Sequence, residues 1–416
     1  MADFGLESTP NGNGASRAIM RILFHGPGTS SYLPEIHLPN TSGLSHPATE
    51  KLAGLRDTHS LTSNRGNLIH GEAPSRIFAC RRRRSAFANL GTLHRLFGPR
   101  LGEVLSNRFD LLVLSAANFI SEKKELVRLR DALNVIGDAV PMMVLGAGMQ
   151  GEPELSKMHP SVQEILDIYN RRARVFGVRG HQTEAWLHKN GFTNARALGC
   201  PSMFVFPSSI LSISAEAAIE AGERANVMAA GYLTFKGGRN YERGVKLAKA
   251  LQNIRSSYVF QDEFFAYGDL IDARGSFNDA TCTGDRERLN AFLTKHTKIP
   301  VNFSNYYYFS ETSAWRQVAL THDVYIGDRF HGGVAALQVG RPGIFLSHDN
   351  RVAELTDFFD LPRMTTDELI SEGVAKAIKT RLTPDAIARV KETYAKRFAN
   401  FKAEMAKHDI RVLTSA

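Results

Sequence analysis

The chain has 416 residues, 43% hydrophobic and 22% charged, proportions ordinary for a globular protein with room for two domains. Its 51 lysines and arginines against 42 acids leave a formal charge of +9, which favours anionic partners without choosing among nucleic acid, anionic lipid and phosphate-bearing substrates. No apolar run of about 18 residues offers a transmembrane helix, and the start lacks the basic region and apolar core of a signal peptide.

Residues 1–19 read as a disordered leader. Cys80, Cys200 and Cys282 make no CxxC pair and no metal spacing, which suits a reducing cytoplasm. Arg21–His25 is a first strand that runs into Gly26-Pro-Gly-Thr-Ser-Ser31. No Lys-Ser/Thr follows in Walker spacing, so this loop reads as a plain turn. Residues 33–60 form a long loop rich in Pro, His, Thr and Ser. Arg81–Arg84 reads either as a solvated edge or as a contact for anionic lipid head groups or a lipid-linked pyrophosphate. No aromatic interleaving accompanies the run, which argues against nucleic acid.

Asp110–Ser115 is a buried strand, residues 122–136 a helix, and Pro141–Leu145 the next strand. That strand opens into Gly146-Ala-Gly-Met-Gln-Gly151, half of a dinucleotide fingerprint without its third glycine, so no nicotinamide site is expected. A helix over Pro160–Arg172 leads to the strand Arg174–Val178, and Arg179 follows its end. The repeated strand, glycine loop, helix order marks a doubly wound α/β sheet. The Ser/Ala-rich residues 207–224 place a domain boundary. A second half begins at Asn226–Leu233, with helices over Arg243–Gln252 and Asp285–His296 and a strand over Ser257–Phe260 between them. The expected organisation is a domain over 20–207, a second over 225–362, and charged amphipathic helices over 363–416. The aromatic stretch Asn302–Phe309 reads as core or interface, or as a tyrosine platform for a sugar face.

The most informative unit follows. Val324-Tyr-Ile326 is a buried strand, Val334–Val339 a helix stopped by Gly340 and Pro342, and Gly343–Leu346 the next strand. The intervening loop holds Asp328, Arg329, His331, Gly332 and Gly333. Loops at the carboxyl ends of parallel strands are where such sheets bind ligands. Arginine there offers a fork for carboxylate or phosphate, histidine a base that titrates near neutrality, and two glycines at a helix start exposed N–H groups for an anion.

Asp328-Arg-Phe-His-Gly-Gly-Val-Ala-Ala-Leu337, Gly340-Arg-Pro342 and Ser347-His-Asp-Asn-Arg351 together resemble the polysaccharide pyruvyl transferase family. The family signature is an Arg-hydrophobic-His-Gly/Ala turn on this kind of unit with Gly-x-Pro behind it. Two earlier segments are similar to further family features. Ser63–His70 resembles an Asn-x-Gly-acid turn, with Asn67 in place of the acid. Arg174–Ser202 resembles the run that carries the family's other arginine, here Arg179, with Gly180 in place of the usual acid and Gly-Cys-Pro-Ser at 199–202.

The resemblance implies two Rossmann-like doubly wound domains facing a cleft, a glycosyltransferase-B-like arrangement. It implies transfer of a pyruvyl group from phosphoenolpyruvate to a sugar of an exopolysaccharide or lipid-linked oligosaccharide, as a ketal, with no metal-binding residues assigned and no cofactor beyond the donor. Arg329 and Arg179 would hold the donor, with Arg351 as a third cation where the family often has lysine. His331 would be the base, the Gly332 and Gly333 N–H groups would receive the leaving phosphate, and Asp328 would orient Arg329. The expected setting is cytoplasmic, with peripheral contact at the inner face of a membrane. The alternatives are a nucleotide-sugar-dependent glycosyltransferase of the same architecture and a non-catalytic anion-binding component of polysaccharide assembly.

Overall fold

The computed structural model describes residues 19–26, 64–81, 84–234, 240–263, 277–278, 281, 283–309 and 311–413. The expected leader up to residue 18, the Gly26–Ser31 turn beyond its first residue, the loop over 33–60, Arg82, Arg83 and Cys282 lie outside them.

Fourteen strands in the described residues form two sheets. The first runs in the order β2 (Ala86–Phe87), β1 (Ile22–His25), β3 (Leu111–Ser115), β4 (Met142–Ala147), β5 (Ala173–Val178) and β6 (Ala195–Ala197), with every neighbouring pair parallel. Parallel neighbours need crossovers, and helices such as Val127–Ile136 and Pro160–Arg172 supply them. Side chains alternate across the sheet. Leu112, Leu114, Met142 and Val144 pack with Leu93, Leu133 and Ile165 on one face. Leu111, Val113, Phe24 and Met143 belong with Ile69, Ala73 and Ile77 to the other core, which continues into the second lobe. Leu-Leu-Val-Leu-Ser in β3 is buried along its whole length, as a strand covered on both faces requires.

The second sheet has the order β14 (Arg363–Met364), β13 (Gly343–Leu346), β12 (Val324–Gly327), β7 (Val227–Ala230), β8 (Ser256–Val259), β11 (Asn305–Tyr307), β10 (Thr283–Gly284) and β9 (Phe277–Asn278). It is parallel from β14 to β11, and β10 and β9 close the edge as antiparallel strands. The aromatic stretch supplies core rather than a sugar platform: Tyr306 and Tyr308 are buried, and Tyr258, Phe260 and Phe303 surround Tyr306. The fold is therefore the two-lobed, doubly wound α/β arrangement expected.

The helix expected to start at Val334 begins at Phe330, so His331, Gly332 and Gly333 lie in its first turn rather than in a loop. The glycines are there for packing. A Cβ on Gly333 would fall 2.3 Å from the Phe345 ring, and one on Gly332 would fall 3.0 Å from the Tyr325 hydroxyl.

Beyond β14, helices span Thr366–Glu372, Val374–Arg381 and Pro384–Ala406. The last has Pro384 in its first turn, and its Thr383 cap accepts from the Ala386 N–H. Its buried residues Ile387, Val390, Tyr394, Phe398, Phe401 and Met405 recur at helical spacing. They carry the helix back to the first lobe, where Phe401 stacks on Phe204 and Phe78 and the Tyr394 hydroxyl donates to the Met203 carbonyl at 2.9 Å. The helix Pro384–Ala406 thus packs against the first lobe as well as the second.

Candidate active site

A cleft of about 750 Å³ lies between the lobes. Its lining includes Gly26 after β1, Ser115 and Ala116 at the end of β3, Tyr232 after β7, Asp262 after β8, Arg329 after β12 and His348 after β13. Both sheets therefore present their carboxyl ends to it, the position where doubly wound sheets bind ligands. A smaller cavity of about 50 Å³ opens from its floor, lined by His70, Arg179, Cys200, Gln261, His331 and Leu355 among others. The two spaces share Asn64, Asn67, Ala117, Asn118, Arg329 and Arg351.

Arg329 reaches both spaces, but its fork is already engaged. Its Nη2 donates to Asp262 at 2.6 Å and to Glu263 at 2.9 Å, and its Nε donates to the Gly231 carbonyl at 2.8 Å. The guanidinium also lies 4.2 Å from the centre of the Tyr232 ring. Burial works against the charge, but Glu263 and Asp262 outweigh it and hold Arg329 protonated. Burial pushes the Glu263 carboxyl up to about 7 even beside this arginine. Arg329 is consequently a neutralised group that fixes the loops after β7 and β8. Asp328 does not orient Arg329 by contact. It is buried and paired with Arg243, whose guanidinium lines the cleft.

The expected anion cradle at Gly332 and Gly333 is corrected. Their N–H groups both donate to the Arg329 carbonyl, at 3.0 and 3.3 Å, because the helix has already begun. Neither is a free donor for phosphate.

Arg179 and Arg351 are the cations left facing the cavity. Arg179 is 4% exposed, its Nη2 donates to the Met149 carbonyl at 3.0 Å, and its Nε has no hydrogen-bond partner. Burial lowers its pKa to about 10, and Glu354 opposes the shift from 3.8 Å. Arg351 is also pulled down by burial, with Asp349 opposing at 3.7 Å.

Two glycines explain how Arg179 is seated. A Cβ on Gly148 would sit 1.5 Å from its Nε, so the glycine loop after β4 makes room for a guanidinium rather than for a dinucleotide. A Cβ on Gly180 would sit 2.4 Å from the Glu354 side chain. Glu354 accepts from the Thr183 N–H at 2.6 Å and hydroxyl at 2.9 Å, so it fills the space beside Gly180 and brings Arg179 its carboxylate from another helix. Gly148→Ala is expected to cost about 1–3 kcal/mol in urea unfolding, because either Arg179 or the loop must move. Unchanged stability would contradict this packing.

His331 lies half-buried at the cavity floor, its Nε2 3.5 Å from the Cys200 sulfur. His70 approaches the same sulfur with Nδ1 at 3.4 Å, while its Nε2 is 2.7 Å from the Ala116 carbonyl. Burial first, then the charges of His70, Arg351 and Arg179, hold the His331 pKa far below its ordinary value. His331 is therefore neutral at pH 7 and able to accept a proton.

The structure thus brings Arg179, Arg329, His331 and Arg351 to one cavity and leaves Asp328, Gly332 and Gly333 outside it. His70, Asp262, Glu263, Arg243 and Glu354 were not anticipated. Asn67, the residue in place of the family's acid, lines both spaces.

A protein-family model described as polysaccharide pyruvyl transferase matches residues 109–350. No curated protein matches the chain. Among solved structures, Anabaena HepE in complex with UDP and glucose is 13% identical over 94% of this chain and 99% of its own, with a TM-score of 0.44. A UDP-N-acetylglucosamine 2-epimerase is 11% identical over 95% and 99%, with a TM-score of 0.47. The α,α-trehalose-phosphate synthase of Burkholderia xenovorans is 12% identical over 92% and 90%, with a TM-score of 0.44.

Proposed function

Because this chain belongs to the polysaccharide pyruvyl transferase family, we propose that it transfers the pyruvyl group of phosphoenolpyruvate to two hydroxyls of one sugar, forming a ketal and releasing inorganic phosphate. The observation that carries this reading is the meeting of Arg179, Arg351 and neutral His331 in one small cavity beneath a cleft of saccharide size.

The donor carries a carboxylate and a phosphate, and the two arginines offer the paired charges and planar forks that such groups need. Arg329 keeps its place in the site by positioning the loops around the donor. In the reaction the donor methylene takes a proton and C2 becomes cation-like. A sugar hydroxyl adds to C2 as its proton passes to His331. A second hydroxyl of the same sugar then displaces phosphate, which carries off that hydroxyl's proton. The proton that His331 returns to water balances the one the methylene took. His331 is uncharged at neutral pH and offers the hydroxyl a lone pair, and the negative charges of a bound donor would offset the Arg351 and Arg179 charges that oppose its protonation. The acceptor would lie in the larger cleft, whose polar walls include Asn89, Asn118, Lys124 and Gln150.

No helix among the described residues is long and apolar enough to cross a membrane. A lipid-linked acceptor would meet the exposed Arg81 and Arg84 at the surface of the first lobe.

The donor assignment is tested by calorimetric titration of the wild type and of Arg351→Ala. Phosphoenolpyruvate is expected to bind in preference to a nucleotide sugar, and the variant to lose about tenfold or more in affinity, the cost of a charged hydrogen bond. Binding of a nucleotide sugar without binding of phosphoenolpyruvate would instead favour a glycosyltransferase.

A further inference from the structure

We propose that His70, Cys200 and His331 form a binding site for a soft divalent cation of the zinc class, and that an ion bound there withdraws His331 from catalysis. The second half rests on the role given to His331 above, whereas the first half does not.

The three ligand atoms come from separate elements: the helix Gly66–Ile77, the residue before the turn Pro201–Phe204, and the helix Phe330–Leu337. They all lie within 4.8 Å of one another. The two nitrogen-to-sulfur separations, 3.4 and 3.5 Å, lie close to the distance set by a tetrahedral ion. Bonds of about 2.3 Å to sulfur and 2.0–2.1 Å to nitrogen place those atoms roughly 3.6 Å apart. The two ligating imidazole nitrogens of such a site stand about 3.3 Å apart, so closing the triad on an ion draws its widest pair, within 4.8 Å, in by at most about 1.5 Å.

The tautomer of His70 is already that of a ligand. Its Nε2 lies 2.7 Å from the Ala116 carbonyl, which can only accept, so the proton is on Nε2 and the Nδ1 lone pair faces Cys200. A backbone carbonyl holding the outer imidazole nitrogen is the usual support of a metal-bound histidine. One sulfur and two imidazoles select zinc or copper over magnesium and calcium, which prefer oxygen.

The fourth position opens to the cavity, where Asn67 and Arg351 also face. Arg179 and Arg351 oppose a further cation there. Loss of the Cys200 proton on binding offsets one charge, and an anion in the fourth position would offset more. His70 and Cys200 have no role in the pyruvyl transfer derived above, and the ion gives their alignment with His331 a use.

The test uses the chelator-treated full chain without substrate. Titration with cobalt(II) is expected to produce a thiolate-to-cobalt charge-transfer band saturating at one ion per chain. Zinc should displace the cobalt, and Cys200→Ser should lose the band. X-ray absorption of the zinc-loaded wild type should show one sulfur and two imidazole ligands, an outcome that does not depend on the variant folding. No charge-transfer band in the wild type, or zinc bound by oxygen and nitrogen alone, would overturn the site. One equivalent of zinc should also lower phosphate release from phosphoenolpyruvate at least tenfold, reversibly with chelator. A spectroscopically occupied site with undiminished activity would overturn the inhibitory half. If the pyruvyl reaction itself is absent, the spectroscopic result still decides the site.

Discussion

Replacing His331 with alanine is expected to lower turnover by about 10²–10⁴-fold while leaving donor affinity near that of the wild type. The ring occupies the floor of the cavity whose charges come from Arg179 and Arg351, so the donor keeps its anion contacts when the imidazole is removed. What would disappear is the proposed proton acceptor. His331 is uncharged at neutral pH because burial, then His70, Arg351 and Arg179, oppose its protonation. A loss confined to turnover is the signature of an interaction made only in the transition state. If His331 served only as packing against Phe330 and His70, the variant would melt earlier yet retain its activity per folded molecule. Melting temperature, donor affinity and turnover measured on the same preparation separate the two cases.

Arg329→Met is expected to act on stability more than on donor binding. Glu263 is fully buried, and Arg329 is its cationic partner at 2.9 Å, with the Tyr258 hydroxyl donating at 2.7 Å. Removing one partner of a buried ion pair costs about 3–5 kcal/mol, because the other charge is stranded. The loss should depend on pH with a definite sign. Burial already lifts the Glu263 carboxyl to about 7, and without Arg329 it goes higher still. A carboxyl whose folded pKa exceeds its unfolded value contributes most stability below the unfolded pKa and loses it as pH rises toward the folded one. The variant should therefore be nearer to wild type at pH 5 than at pH 8 in urea unfolding. Adding Glu263→Gln to Arg329→Met should recover part of the loss and remove that pH dependence. A stable Arg329→Met protein that no longer binds the donor would instead make Arg329 a donor ligand.

The strands β12 and β13 were legible because their signals are local: Val-Tyr-Ile is a continuous apolar run, and Gly-Arg-Pro stops the helix between them. The first turn of that helix was misread for an equally local reason. Gly-Gly lowers helix propensity, but here both glycines let the helix settle onto Tyr325 and Phe345. Arg179 and Arg329 were found from their places after buried strands, but their state of charge was not legible. The Arg329 partners lie 66 and 67 residues earlier, on a segment with no pattern of its own. His70 and His331 meet Cys200 across 130 and 131 residues, and a single sequence carries no trace of that meeting. Gly180 stands where the family usually has an acid. Its meaning depends on Glu354, which the fold brings in from the far lobe.

A phosphoenolpyruvate donor and a sugar ketal product are what separate the proposed reaction from sugar transfer. The most direct measurement incubates the purified chain with phosphoenolpyruvate and a panel of free and lipid-linked oligosaccharides. Inorganic phosphate is followed, and the saccharide is analysed by mass spectrometry and by the carbon resonance of a ketal centre. Phosphate release is expected to require an acceptor, with one pyruvyl ketal formed per phosphate and both lowered about 10²–10⁴-fold in His331→Ala. Sugar transfer from a nucleotide sugar by the same preparation, with phosphoenolpyruvate left intact across the panel, would contradict the proposed reaction.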